Sequence, residues 1–137
     1  MPNRSQARLH AYLSYSDAAA ALDWLRAVGF EITSRQDGRE GAVLHAEVRM
    51  DEIVLMIASA DDDYTVPPLR GISTGTGLYL WLPEATDVDD WCHRAVGAGA
   101  REVIPPEDTP WGSRRARVLD PEGHEWSVGN YPPGQPR

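Results

Sequence analysis

Asp120-Pro121-Glu122-Gly123-His124-Glu125-Trp126-Ser127 decides how this chain is read, because Met50-Asp51-Glu52-Ile53-Val54-Leu55-Met56 is a fainter copy of it in the first half. In the later copy, Asp-Pro-Glu-Gly has the chemistry of a tight turn: Pro presets φ at the second position and Gly relieves the end. Strand-like residues flank the turn on both sides. The parallel continues upstream, where Arg26-Ala27-Val28-Gly29 closes one helical pattern and Arg94-Ala95-Val96-Gly97 closes another, after helix-opening Asp17 and Asp87. The matched pairs stand about 70 residues apart, which reads as duplication of one supersecondary unit. Two divergent copies are too few for a long solenoid. The expectation is one pseudo-symmetric domain over residues 1–137 with a cleft between its halves.

The composition bounds what such a domain can do. A chain of 137 residues is the size of one compact domain and buries a core without disulfides or metal. The formal net charge of -8 and the sequence pI of about 4.8 oppose binding to phosphate backbones, so nucleic acid is not an expected partner. The single cysteine, Cys92, cannot form an internal disulfide, falls on the apolar side of a predicted helix, and fits a packing role in a reduced compartment. The stretch Met1-Pro2-Asn3-Arg4-Ser5-Gln6-Ala7-Arg8 lacks the apolar core of a signal peptide, and no apolar run is long enough to span a bilayer. The expectation is a soluble cytoplasmic protein without a membrane partner.

Hydrophobic periodicity gives the order β-α-β-β-β twice. Leu9, Ala11, Leu13 and Tyr15 alternate with His10, Tyr12 and Ser14, the period of a strand. Ser16 or Asp17 then caps a helix whose Ala18, Ala21, Leu22, Leu25 and Val28 recur at helical spacing until Gly29 stops it. Phe30 to Ser34 reads as a short strand, followed by a polar turn and two further strands, Val43 to Arg49 and Ile53 to Ala58. Module one thus covers about residues 8–59. The linker at 60–76 carries Asp61-Asp62-Asp63, Pro67-Pro68 and several glycines, and is long enough that covering a ligand is one of its possible roles. Module two, about 77–131, begins with Leu78-Tyr79-Leu80-Trp81-Leu82 and continues with a helix from about Asp87 carrying Val88, Trp91, Cys92, Ala95 and Val96 on one face. A strand around Glu102 to Ile104 follows, then the closing hairpin of Arg114 to Leu119 and Glu125 to Val128. The tail from Tyr131 to Arg137 reads as extended and poorly ordered.

The pleat sorts these strands into two faces. Leu9, Ala11, Leu13 and Tyr15 take the face under the first helix, and Leu78, Leu80 and Leu82 the face under the second. His10 and Tyr12, with Tyr79 and Trp81, are left on the opposite faces. On the third strand Leu44, Ala46, Val48 and Met50 fall on one side and His45, Glu47 and Arg49 on the other, the latter facing either a cavity or solvent. If both sheets curl toward these second faces, the lining is aromatic with a few polar groups, the make-up of a small-molecule site.

The duplicated β-α-β-β-β order, the helix-closing Arg-Ala-Val-Gly, the Thr109-Pro110-Trp111-Gly112 segment and the Asp-Pro-Glu-Gly-His-Glu-Trp hairpin together resemble the vicinal oxygen chelate superfamily of glyoxalases, ring-cleaving dioxygenases and bleomycin-resistance proteins. The resemblance covers about residues 8 to 131. It implies an α+β fold in which two βαβββ modules form curved mixed sheets around a cleft. In metal-dependent members, inward positions on the first and last strands of both modules carry His or Glu and leave open sites for substrate oxygens, an arrangement suited to Lewis-acid chemistry.

Carried over by position, the first such site falls on His10, seven residues before Asp17, and is retained. Its counterpart in module two falls on Gly77, and the last-strand sites fall on Met56 and Ser127. None of these three is a good ligand for a hard or borderline divalent ion, and one imidazole does not hold a catalytic metal. The expectation is therefore a protein with no metal and no cofactor, with Glu125, on the same face as Ser127, as the one conceivable substitute carboxylate.

Other chemistry is thin. His124 beside its turn and His93 on a polar helix face read as solvated or bonded to backbone, and the acidic run at 61–63 as a hydrated loop or an attractor of cations. No phosphate loop or nucleophile elbow occurs. Of the five tryptophans, Trp24 and Trp91 read as core, while Trp81 and Trp111 suit either packing or stacking on a ligand. Two function classes remain. One is a metal-free binding protein of the bleomycin-resistance type, sequestering an aromatic or basic molecule in a site lined by His10, Tyr12, Tyr79, Trp81, Trp111, Met56 and Ser127. The other is a glyoxalase- or dioxygenase-like enzyme, with His10 as its best catalytic candidate. The resemblance also implies a homodimer, since an uncovered aromatic cleft is a sizeable apolar patch.

Overall fold

A computed structural model describes residues 8–60 and 76–134. Residues 1–7, the acidic run at 61–63, the paired prolines at 67–68 and the last three residues lie outside the described part. The chain divides into two compact units on either side of residues 61 and 62, and each contains one module.

In the first unit β1 (Tyr12–Tyr15), α1 (Ala18–Ala27), β2 (Glu31–Asp37), β3 (Val43–Met50) and β4 (Ile53–Ser59) follow in the expected order. The sheet order is β1-β4-β3-β2, with β1 parallel to β4 and the other pairs antiparallel. The crossover that makes β1 and β4 parallel carries α1, and the helix covers one face. Asp17 opens α1 by accepting a hydrogen bond from the Ala20 amide at 3.0 Å. Ala18, Ala21, Leu22, Trp24, Leu25 and Val28 are buried with Tyr15, Ala46, Val48, Leu55 and Ile57, so the pleat and the helical stripe meet as the sequence predicts. The second unit repeats the plan with β5 (Gly77–Trp81), α2 (Ala85–Gly97), β6 (Arg101–Asp108), β7 (Arg114–Leu119) and β8 (Glu125–Gly129), in the order β5-β8-β7-β6. Its core is Leu80, Val88, Trp91, Cys92, Ala95, Ala116, Val118, Trp126 and Val128. No helix among the described residues is long and apolar enough to cross a membrane.

Several expectations are corrected. Leu9, read as a core residue of the first strand, is 98% exposed because β1 begins only at Tyr12. Leu44 is 63% exposed although its parity matches Ala46 and Val48. The register explains it: Asp37 pairs with Val43 and Gln36 with His45, so Leu44 is an extra residue bulged from β3 and Val43 takes the buried place. Val96, expected on the buried stripe of α2, is exposed. Asp87 lies in the first turn of α2 and not at its cap; the cap is Glu84, whose amide donates to the Asp87 carboxylate at 3.1 Å. The strand around Glu102 to Ile104 runs on through Pro105 and Pro106, which is tolerated because β6 ends its sheet. Tyr131, placed by sequence in a loose tail, accepts a hydrogen bond at its carbonyl from the Tyr79 hydroxyl at 2.8 Å.

A further correspondence between the modules is not visible in residue identities. Ile32 pairs with Val48 and Ser34 with Glu47, while Glu102 pairs with Val118 and Ile104 with Arg117. Each module therefore carries an extra residue, Thr33 or Val103, at the same place in its second strand. The closing hairpins differ. In the first, Asp51 takes a left-handed φ of 51°, which Asp tolerates better than most residues. In the second, the Gly123 amide donates to the Asp120 carbonyl at 2.8 Å, closing the Asp-Pro-Glu-Gly turn with Gly123 at φ 94°. The Asp120 side chain, 3% exposed, accepts from the amides of Glu122 and His124, each at 3.0 Å, and from the Trp126 indole at 3.2 Å. Trp126 packs in turn against Trp91 of α2, ring centroids 6.2 Å apart.

Cys92 belongs to this core. Burial pushes its thiol up to about 11, with Glu102 and Asp89 adding to the effect, so it stays protonated at neutral pH and serves as a small apolar side chain.

These contacts give a paired expectation for thermal unfolding. Leu80→Ala empties a site only 5% exposed and should cost roughly 2 to 5 kcal/mol. Asp120→Ala removes the charged acceptor of the buried Trp126 indole and of two turn amides, for about 3 kcal/mol. Trp81→Ala, at a residue 45% exposed, should cost about 1 kcal/mol or less. A Trp81 variant less stable than the Leu80 variant would mean that the faces of β5 are assigned the wrong way round.

Candidate functional site

The faces turned away from the helices carry the polar chemistry, and each unit presents its own set. In the first unit, Tyr12 pairs with Met56 across the parallel β1–β4 ladder, and Met56 pairs with Glu47 of β3. Tyr12 is exposed and Met56 half-buried. His10, just before β1, engages the Val54 carbonyl through Nδ1 at 2.9 Å, so Nδ1 is the donor in that bond. His45 and Glu47, whose surroundings the sequence leaves open, bond each other at 2.8 Å and are half-buried. Arg49 is exposed and donates to the Asp51 carbonyl at 2.8 Å.

In the second unit the corresponding face forms an open cavity of about 180 Å³. Tyr79 of β5, Ile104 of β6, Arg115 and Arg117 of β7, Ser127 of β8 and the Trp111 loop form its walls. Each is held there by local structure. Thr109 and Ser113 close the loop before β7: the Thr109 amide donates to the Ser113 carbonyl at 2.8 Å, and the Ser113 amide to Thr109 Oγ1 at 3.1 Å. Gly112, at φ 84°, completes that turn and leaves Trp111 at its tip, with the Arg115 guanidinium 5.8 Å from the ring centroid. Tyr79 lies across β8 because residue 129 is glycine. A β-carbon there would sit 2.6 Å from the Tyr79 hydroxyl and 3.1 Å from the Arg114 carbonyl. Burial holds the Tyr79 phenol above its ordinary value, so it stays a neutral donor to the Tyr131 carbonyl and ties the segment after β8 to the cavity rim. Trp81 shares the exposed face of β5, but its indole donates to the Asn130 carbonyl at 3.2 Å and it is not among the cavity walls.

The two inward arginines differ in their partners. Arg115 is held by Glu107 of β6, with Nη2 2.9 Å from its carboxylate. Arg117 donates from Nε to Ser127 Oγ at 2.9 Å, while the Glu125 carboxylate stands at 3.8 Å. Arg114, on the helix side, is charge-paired with Asp89 of α2 at 2.8 Å and with Asp108 at 3.0 Å, contacts that raise its already high proton affinity.

The positions that hold metal in the resembling proteins do not fit one here. Met56 and Ser127 occupy the last-strand places, and Gly77 supplies no donor. The space a side chain at 77 would need is filled by Glu125, whose Oε2 lies 2.6 Å from where a β-carbon would be. Ser127 is engaged by Arg117, a cation beside what would be a cation site. Among the described residues, no three His, Cys, Asp or Glu side chains gather in a way that could hold a metal ion.

The seven sequence-predicted site residues thus divide between the units: His10, Tyr12 and Met56 in the first, Tyr79, Trp81, Trp111 and Ser127 in the second. Tyr79, Trp111 and Ser127 share the cavity. Sequence reasoning missed Arg115, Arg117, Ile104 and Tyr131. The arginines were within reach of the pleat argument, since in Arg115-Ala116-Arg117-Val118 they alternate with the core residues. Tyr131 carries no such signal, because its place depends on a bond to a residue far away in sequence.

Comparison with known proteins agrees with the fold. The chain is 36% identical over 129 residues to uncharacterized proteins of Mycobacterium bovis and Mycobacterium tuberculosis, covering 88% of this chain and 81% and 72% of theirs. Among solved structures it resembles TioX from Micromonospora sp. ML1, with a TM-score of 0.67 and 32% identity over 91% of this chain and 100% of that one. A glyoxalase-related enzyme from Fulvimarina pelagi shares the fold at a TM-score of 0.70 and 22% identity, covering 91% of this chain and 88% of that one. The model of the Glyoxalase/Bleomycin resistance protein/Dioxygenase superfamily matches residues 8–128, two βαβββ modules and their closing hairpins, and the chain belongs to that superfamily.

Proposed function

We propose that this protein binds and sequesters a small aromatic molecule without a metal, in the manner of the bleomycin-resistance members of its superfamily. The observation that carries the reading is the cavity of the second unit, where Tyr79, Trp111 and Ile104 supply flat and apolar walls and Arg115, Arg117 and Ser127 a few fixed polar groups. That is the composition of a binding pocket. A catalytic reading needs a metal or a positioned acid and base. The ligand positions are filled by Met56, Gly77 and Ser127, and the serine is engaged by Arg117. We further propose that the protein is a homodimer in the cytoplasm. Tyr12, Tyr79, Trp81 and Trp111 are all large and exposed, and a partner subunit covering some of them would remove apolar surface from water.

Calorimetric titration with a panel of flat bicyclic and tricyclic aromatics tests the binding reading. Saturable binding without chemical change is expected, and Trp111→Ala should weaken it about fivefold to tenfold through loss of ring contact. A new product in the mixture by mass spectrometry would overturn sequestration in favour of an enzyme. Elemental analysis of protein purified without chelator should find no stoichiometric transition metal, and one equivalent of zinc, nickel, iron or manganese lost on His10→Ala would contradict the metal-free reading. Sedimentation at micromolar concentration is expected to give twice the chain mass of 15.1 kDa; a single-chain mass would rule out the dimer.

A further inference from the structure

The charge of the cavity runs against the charge of the chain. Of its described lining residues three are arginines, Arg115 and Arg117 on the open face and Arg114 with its guanidinium on the helix side, and none is Asp or Glu, although the chain as a whole carries a formal charge of -8. Two of the three are answered in place: Arg114 by Asp89 and Asp108 at 2.8 and 3.0 Å, and Arg115 by Glu107 at 2.9 Å. Arg117 is answered more loosely: its ion pair with Glu125 is 3.8 Å long and made through Nε, which also donates to the neutral Ser127 hydroxyl at 2.9 Å. No partner for Nη1 or Nη2 occurs among the described residues. The cross-strand pairing of Arg117 with Ser127 fixes the root of the side chain, and the Nε bond fixes its end. A planar fork of N–H donors is thereby held at a wall of the cavity, its outer edge without a partner among the described residues, the geometry that takes a carboxylate or similar oxyanion through two parallel bonds.

From this we infer that the ligand of the cavity is an aromatic acid: a flat ring held beside Trp111 and Tyr79, with an anionic oxygen group seated on the Nη edge of Arg117. The inference rests on the proposed binding role of this cavity and assigns its specificity to Arg117. It also disfavours the basic ligand that the acidic composition had left open, because a cation here would face the Arg117 guanidinium.

Titration of the full-length chain with 2-naphthoate, 2-naphthamide and 2-naphthylmethylammonium reads the charge preference at nearly constant ring shape. The carboxylate is expected to bind about tenfold more tightly than the amide, and the ammonium most weakly. R117Q should bring the carboxylate down to about the amide's affinity, and a cooperative thermal unfolding transition followed by circular dichroism reports that the variant is folded. R117K, which keeps the charge but not the fork, should retain part of the preference. In the unaltered protein, raising KCl from about 0.05 to about 0.5 M should weaken the carboxylate and leave the amide alone. Equal binding of carboxylate and amide, or tightest binding of the ammonium, overturns the inference and leaves the cavity a binding site. A carboxylate preference that survives R117Q removes Arg117 as its anchor. Failure of all three probes to bind at millimolar concentration sinks the binding reading and this inference together.

Discussion

The second module depends on where β8 lies against β7, and a single carboxylate holds that register. Side chains alternate along a strand, so a slip of one residue would send Ser127 into the core and Trp126 into the cavity. Asp120 prevents it. It sits at the start of the turn, buried, and its oxygens take two amides of the turn and the indole N–H of Trp126 on the returning strand. Trp126 is then committed to the helix side, where it meets Trp91. Once that ring is fixed, Ser127 must face the other way, and with it the partner of Arg117. A bond in the turn therefore decides which groups a ligand would meet.

The first module solves the same problem with less. Its closing hairpin has no proline and no buried aspartate of that kind, only Asp51 in a left-handed conformation between Met50 and Ile53. The face it presents is accordingly simpler: Tyr12, Met56 and a His45–Glu47 pair that satisfies itself. Of the two sheets, the one with the more elaborate turn also carries the cavity walled by Tyr79, Trp111 and Ser127.

Much of this was legible in the sequence, for a physical reason. The βαβββ order follows from hydrophobic period, and period is local information; Asp17, Gly29, Trp24, Trp91 and Leu80 all stand where spacing alone puts them. What could not be read is what depends on pairing. The bulge at Leu44 exposes a residue whose parity says core, and it exists only because β2 and β3 are out of step there. The extra residue at Val103, the passage of β6 through two prolines and the anchoring of Tyr131 by Tyr79 are likewise properties of neighbours, not of segments. The site divides the same way. Aromatic residues on an open strand face were visible, whereas the distinction between Arg115, held closely by Glu107, and Arg117, bonded to a serine with Glu125 farther off, appears when side chains are in place.

The bulges at Thr33 and Val103 fall at one position of the repeat, against Val48 and Glu47 in one module and Val118 and Arg117 in the other. An irregularity shared this closely marks the two modules as one backbone plan, beyond what their residue identities show. The two copies share a common frame while their open faces differ, one carrying His45 and Glu47, the other Arg115 and Arg117 at the matching places. A strand that sorts alternate residues to opposite sides lets that happen. Letters facing the helix conserve the grammar of the fold, and letters facing outward can be rewritten one at a time, so a single backbone can change its vocabulary of ligands without relearning how to fold.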